Sequence, residues 1–191
     1  MQNLMRKLSS FIFITLDGYY KGLDEDISWH NHGEEETQFS EEMLSLGNAL
    51  VFGRRTYEMM ASFWNSDMAH DMYPQVAIEM NRAEKIVFTF QPPPRKVWEN
   101  TRFIAPHDSL NETIKHLLDN SKKDMTILGS GEIVRQLIEK NQINEYQIMI
   151  DPVILGNGYR LFEGTDHLVN LSLVESRTFS DGTIFLRYIN R

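Results

Sequence analysis

Short apolar runs recur along the chain at intervals too small for membrane spans and too regular for loops. Leu8–Thr15, Ala49–Gly53, Lys85–Phe90, Met125–Gly129 and Glu145–Leu155 each read as a buried strand. Between them the apolar period lengthens. Phe39, Met43, Leu44 and Leu46 predict a helix over Glu34–Leu46 that stops at Gly47, and Tyr57, Met60, Ala61 and Trp64 form one face of a helix over Thr56–Trp64. Leu110, Ile114, Leu117 and Leu118 follow the helix-entry residues Asp108 and Ser109, and Ile133, Leu137 and Ile138 mark a further short helix. Strands alternating with helices predict a mostly parallel central sheet with helices on both faces. The last two strand-like runs, "LSLVESRTF" and "TIFLRYI", are joined by Ser180-Asp181-Gly182 and predict a C-terminal antiparallel hairpin. No repeat and no linker-like stretch interrupts the pattern, so one α/β domain over residues 1–191 is expected.

Composition narrows the function classes. With 191 residues, 41% of them hydrophobic, the chain is long enough for a substantial core. A net charge of -8, with basic residues only in pairs such as Arg54-Arg55 and Lys122-Lys123, argues against a nucleic-acid surface. There is no Cys, which excludes disulfides, thiolate metal sites and a cysteine nucleophile. Arg6-Lys7 before "LSSFIFITLDG" resembles the start of a signal peptide only faintly, because Asp17 soon interrupts the apolar run and no small-residue cleavage site follows. No segment approaches the roughly 20 apolar residues of a membrane helix. A soluble, cytoplasmic protein is expected.

Two corners carry candidate chemistry. In "TILGSGEIVRQL" a strand reaches Gly129-Ser130-Gly131 and a helix begins, which places free backbone N–H groups and a positive helix end at one point. A plain tight turn explains the same glycines; neither a full dinucleotide fingerprint nor a Walker A loop is present. In "VFGRRTYEMM" a strand ends at Gly53, and Arg54, Arg55 and Thr56 stand at the helix entrance. Thr56 can cap that helix, yet forked guanidinium donors beside a hydroxyl also suit phosphate. Two such corners in one sheet point to one ligand with phosphates at both ends. Elsewhere, Glu34 reads as a pocket carboxylate unless the run Glu34-Glu35-Glu36 is simply a solvated helix start, and Asp17 reads either as a turn residue or as that carboxylate's rival. His30 and His32 stand two apart with no third ligand at a recognisable spacing, so no metal site is expected.

The segments "LSSFIFITLDGYYKG", "VFGRRTYE", "KIVFTFQP" and "TILGSGEIVRQL…INEYQIMIDPVILGNGYRLF" resemble, in order, those of the dihydrofolate-reductase-like family. They are most similar to the C-terminal reductase domain of the bifunctional riboflavin-biosynthesis deaminase/reductase and its single-domain relatives. The resemblance implies a dihydrofolate-reductase-like fold, NADPH as cofactor, and hydride transfer to a pterin-like or pyrimidine-like heterocycle. It implies that Gly53, Arg54, Arg55 and Thr56 hold cofactor phosphate and that Thr89 contacts the adenosine 2′-phosphate region. Gly129, Ser130, Gly131, Glu132 and Ile133 take the pyrophosphate, while Ile14, Thr15 and Gly22 border the nicotinamide. Trp29 stands five residues before Glu34, as a loop tryptophan precedes a helix carboxylate in the folate enzymes. That spacing implies Glu34, or else Asp17, as the catalytic carboxylate, with Trp29 and Phe39 as substrate contacts. A homodimer is implied as well. Three positions depart from the relatives: Ser130 replaces the second glycine of a pair joined by a cis peptide in folate reductases, Leu128 replaces an acidic residue, and apolar Ile148 falls nearest a substrate-fixing threonine. A non-catalytic nucleotide-binding module on the same fold is the alternative reading.

Overall fold

The computed structural model describes residues 6–30, 33–106 and 109–191. Its centre is an eight-stranded sheet. Strand β1 (Leu8–Thr15) is almost wholly buried, as its run of apolar residues requires of a central parallel strand. A short strand β2 (Tyr19–Lys21) follows, then helix α1 (Glu34–Ser45) and strand β3 (Ala49–Gly53). Three helices come next: α2 (Arg54–Trp64), α3 (Asp67–Met72) and α4 (Pro74–Arg82). The chain continues through β4 (Lys85–Phe88), β5 (Thr101–Ile104), α5 (Leu110–Asn120), β6 (Met125–Leu128), α6 (Gly131–Ile138), β7 (Glu145–Asp151), β8 (Tyr159–Arg160), β9 (Leu171–Thr178) and β10 (Ile184–Asn190). The strand order is β5-β4-β3-β6-β1-β7-β10-β9, and β2 pairs separately with β8.

All neighbours from β5 to β7 run parallel, so their carboxyl ends share one edge of the sheet. β10 is antiparallel to β7, and β9 to β10, which closes one side with the expected hairpin. Alternation along the strands sorts side chains between two faces. On one face Leu8, Ile12, Ile14, Ile127 and Ile148 pack with Ile114 of α5 and with Ile133, Val134 and Leu137 of α6. On the other, Leu50, Phe52 and Val87 meet Tyr57, Trp64, Ala77 and Met80 of α2 and α4, while Phe11 and Met149 meet Phe39 of α1.

Several expected boundaries shift for local reasons. The strand expected to run to Leu155 ends at Asp151, because Pro152 has no N–H for the ladder. Helix α2 starts at Arg54 with Gly53 as its cap, so Thr56 sits in the first turn and does not cap it. Ser109 caps α5 by accepting the Glu112 amide at 3.1 Å; Asp108 lies outside the described residues. Helices α3 and α4 and strand β5 were not expected. Their signals are short: Ser66 caps α3 by accepting the Ala69 amide, and Pro74 takes the first position of α4.

Candidate functional site

The two glycine corners lie side by side, because β3 and β6 are neighbours and both end at the same edge. Gly53 donates its N–H to Ser130 Oγ at 2.9 Å, and Ser130 is buried. A Cβ at Gly129 would lie 3.5 Å from Thr56 Cγ2, and one at Gly53 would lie 3.7 Å from Ile133 Cδ1. Gly129 adopts a φ of +66°, a region that favours glycine, and no cis peptide bond occurs among the described residues. The corners therefore form one structure. The amino ends of α2 and α6, each the positive end of a helix, meet at it.

The paired arginines divide. Arg54 is largely covered: its Nε donates to Glu58 Oε1 at 2.6 Å and its Nη1 to the Pro92 carbonyl at 2.8 Å. Arg55 leaves 82% of its side chain exposed and, among the described residues, pairs with Glu25 Oε1 at 3.1 Å. Glu25 is also held by Lys21 Nζ at 2.7 Å, and that hydrogen bond, ahead of the Arg55 charge, keeps its carboxyl below the usual glutamate range.

Gly131 has a packing reason of its own. A Cβ there would lie 2.6 Å from two ring atoms of Tyr20, which covers the start of α6. Burial raises the Tyr20 hydroxyl above the ordinary tyrosine value. The other residues expected at a cofactor are brought to the same edge mainly through their backbone. Ile14 and Ile133 point into the core, and Thr15 is buried, giving its hydroxyl to Asp17 Oδ1 at 2.6 Å. Glu132 is exposed and pairs with Arg135. Thr89 follows β4, with its hydroxyl accepting the Gln91 amide at 3.0 Å. Gly22 is buried, and its N–H bonds to the Asp26 carbonyl at 2.7 Å.

The candidate carboxylates differ in burial. Glu34, expected as a pocket carboxylate, is exposed on the first turn of α1, as is Glu35. The buried member of the run is Glu36, two positions on and turned inward by helical rotation. Its Oε2 accepts the Gly33 amide at 2.8 Å, while Oε1 is buried with no hydrogen-bond partner among the described residues. Burial pushes its carboxyl above the ordinary value. The signal was present in the sequence, since a Glu at the third helical position reaches back to the cap. Asp17 is a turn anchor: besides Thr15 it accepts the amides of Leu155 at 3.1 Å and Gly156 at 2.8 Å. The Thr15 hydroxyl first, and these amides after it, hold its carboxyl down at about 2.

Sequence reasoning missed a second acidic group, Asp151, at the end of β7. Its Oδ1 lies 2.9 Å from His30 Nδ1, and the His30 ring stacks on Phe13 with centroids 3.7 Å apart. Asp151 Oδ2 and Trp29 Nε1 are buried without hydrogen-bond partners among the described residues. His32 lies outside the described residues, and among those described no group of three or more His, Asp or Glu could hold a metal. No described helix is long and apolar enough to cross a membrane.

A cavity of about 90 Å³ opens between the sheet and helices α1, α2 and α4. Its walls are chiefly apolar, with Phe11, Phe13, Met43, Leu50, Trp64 and Leu128 prominent. Phe39, expected as a substrate contact, does not line it; Phe39 is core, packed on Phe11, Phe179 and Phe185. Its helical neighbours Ser40, Met43 and Leu44 face the cavity instead. Ile148, the nearest match to the folate enzymes' threonine, faces α6, and the cavity-facing residue of that strand is Gln147.

The profile of the RibD C-terminal domain matches residues 6–185. Two proteins of Bacillus subtilis (strain 168), the uncharacterized proteins YyaP and YwjB, are each 24% identical to this chain. YyaP aligns over 183 residues, covering 96% of this chain and 94% of its own, and YwjB over 187 residues, covering 96% and 98%. Among solved structures, a putative riboflavin biosynthesis protein from Shewanella sp. PV-4 superposes with a TM-score of 0.76 at 20% identity, covering 97% of this chain and 99% of that one. A pyrimidine reductase-like protein from Corynebacterium diphtheriae gives 0.66 at 14% identity, covering 97% and 92%. The diaminohydroxyphosphoribosylaminopyrimidine deaminase/5-amino-6-(5-phosphoribosylamino)uracil reductase of Thermotoga maritima gives 0.69 at 13% identity, covering 98% of this chain but 57% of that one. With nearly its whole length matched, the chain belongs to the RibD C-terminal domain family.

Proposed function

We propose that this protein is a cytoplasmic NADPH-dependent reductase of a small pterin-like or pyrimidine-like heterocycle. The observation that carries the reading is the union of the two glycine corners through Ser130 and Gly53. It brings two helix amino ends and an exposed guanidinium to one edge of the sheet, the chemistry a dinucleotide with three phosphates requires. Membership of the RibD C-terminal domain family, together with structural likeness to a uracil reductase, supports the same reading.

The residues fit such a cofactor on three counts. Gly129 and Gly53 carry no Cβ where backbone approach is needed, Arg55 is exposed beside the corner, and the cavity opens on the sheet face next to it. Gly53, Thr56 and the Gly129–Gly131 turn would hold the phosphates, with Arg55 on the 2′-phosphate. Tyr20 then has to move aside from Gly131, and Glu25 has to release Arg55. NADPH, when bound, supplies a hydride. The chain supplies orientation and water exclusion through the apolar cavity. A homodimer is supported by the hairpin, which exposes Leu173, Val174, Ile184 and Ile189.

Thermal shift with NADPH, followed by NADPH oxidation against a panel of pterins, folates and aminopyrimidines, tests the reading. Stabilisation with turnover supports a reductase. Stabilisation without turnover on any of them would favour a nucleotide-binding module, and no stabilisation would remove the cofactor.

A further inference from the structure

Gln147 occupies the cavity-facing side of β7 and is only 4% exposed. Its Nε2 donates to Glu145 Oε1 at 2.6 Å. The other Glu145 oxygen lies 3.5 Å from Arg187 Nη1, and Arg187 is the cross-strand neighbour of Gln147 on β10. A carboxylate only accepts hydrogen bonds, so the amide nitrogen must be the end that faces Glu145. The carbonyl oxygen is thereby fixed on the side away from Glu145. That oxygen, Oε1, is buried and has no hydrogen-bond partner among the described residues.

The neighbouring polar groups are engaged with one another. Thr126 Oγ1 lies 2.9 Å from Ser9 Oγ and accepts from Asn48 Nδ2 at 3.0 Å. Thr126 and Asn48 line the same cavity, and these bonds engage the Thr126 hydroxyl and one Asn48 N–H. Gln147 thus brings an unpartnered acceptor to a lining that is chiefly apolar. A buried acceptor held without a partner, by a relay of two further side chains, is the arrangement expected where a ligand supplies the missing donor.

We propose that Gln147 is a specificity-determining residue of this cavity. The ligand is a small planar ring, apolar over most of its surface, that presents one N–H or O–H donor toward β7. Arg187 and Glu145 are positioning residues that keep the amide from flipping. The inference rests on the reading that this cavity holds the ring of a reductase substrate, and it adds the hydrogen-bonding character of that ring.

Phenol and toluene, nearly equal in size and differing in the donor, are the probes. Their affinities are measured by ligand-observed NMR on the wild-type protein and on Gln147→Met, which keeps the side-chain length and removes the acceptor. Wild-type protein should bind phenol at least tenfold more tightly than toluene, and Gln147→Met should lose or reverse that preference. Equal affinities in the wild type, binding of neither ring, or an unchanged preference in the variant would overturn the proposal. The wild-type comparison decides even if Gln147→Met fails to fold. An NADPH titration run in parallel separates the two claims, because loss of cofactor binding would sink the reductase reading while leaving the ring preference as measured.

Discussion

Ser130 Oγ accepts the Gly53 amide at 2.9 Å, tying the end of one strand to the start of a helix that follows another. The serine stands where folate reductases carry a second glycine, and in this chain its hydroxyl joins the two corners. Ser130→Ala should cost about 1 kcal/mol of stability, the usual effect of losing a neutral hydrogen bond. It should also weaken NADPH binding about tenfold by letting the corners part. Urea unfolding and calorimetric titration measure the two effects. Unchanged cofactor affinity would mean that the bond is structural alone.

The two arginines should separate in their effects. Arg55, exposed and bound only to Glu25, is free to exchange that carboxylate for a phosphate, and exposed pairs of this kind add little to stability. Arg55→Ala should therefore leave the melting temperature within a degree or so and lower the preference for NADPH over NADH roughly tenfold or more. Arg54 is engaged with Glu58 and the Pro92 carbonyl, so Arg54→Ala should lower stability measurably. The reverse pattern would contradict the assignment.

The parallel core was legible because strands buried on both faces need continuous apolar runs, and β1 and β3 match their expected spans residue for residue. The hairpin was legible from its Ser-Asp-Gly turn. Helices α3 and α4 were not, since six- and nine-residue helices offer too few turns for a period to show. At the site, the corners could be read from glycine and arginine placement, but their union could not. That depends on β6 inserting between β3 and β1, a feature of sheet order. Which glutamate of the run Glu34-Glu35-Glu36 is buried depends on helix rotation, which three identical residues conceal. Gly131 shows how one residue serves two readings, because Tyr20 needs the space whether or not a ligand also uses it.

Acid behaviour should distinguish the two carboxylates, which shift in opposite directions. Asp17 is held at about 2 against an ordinary 3.8, so its contribution is present above pH 3.8 and is lost as pH falls through about 2. Glu36 is raised above 4.5 by burial, so the native state keeps its proton longer than the unfolded chain does. Its contribution is present below pH 4.5 and is lost as pH rises through the folded value. In urea unfolding at stepped pH, Asp17→Asn should flatten the acid limb below pH 3.8, and Glu36→Gln should flatten the decline that begins near pH 4.5. An Asp17→Asn protein with a wild-type acid limb would show that the three hydrogen bonds on its carboxylate do not perturb it.

The central claim is that the joined corners hold the phosphates of NADPH, and isothermal titration of the wild-type protein with NADPH and with NADH tests it most directly. Saturable binding of one NADPH per chain is expected, at least about tenfold tighter than NADH because Arg55 meets the additional phosphate. Absence of saturable binding, or equal affinity for the two nucleotides at physiological salt, would contradict it.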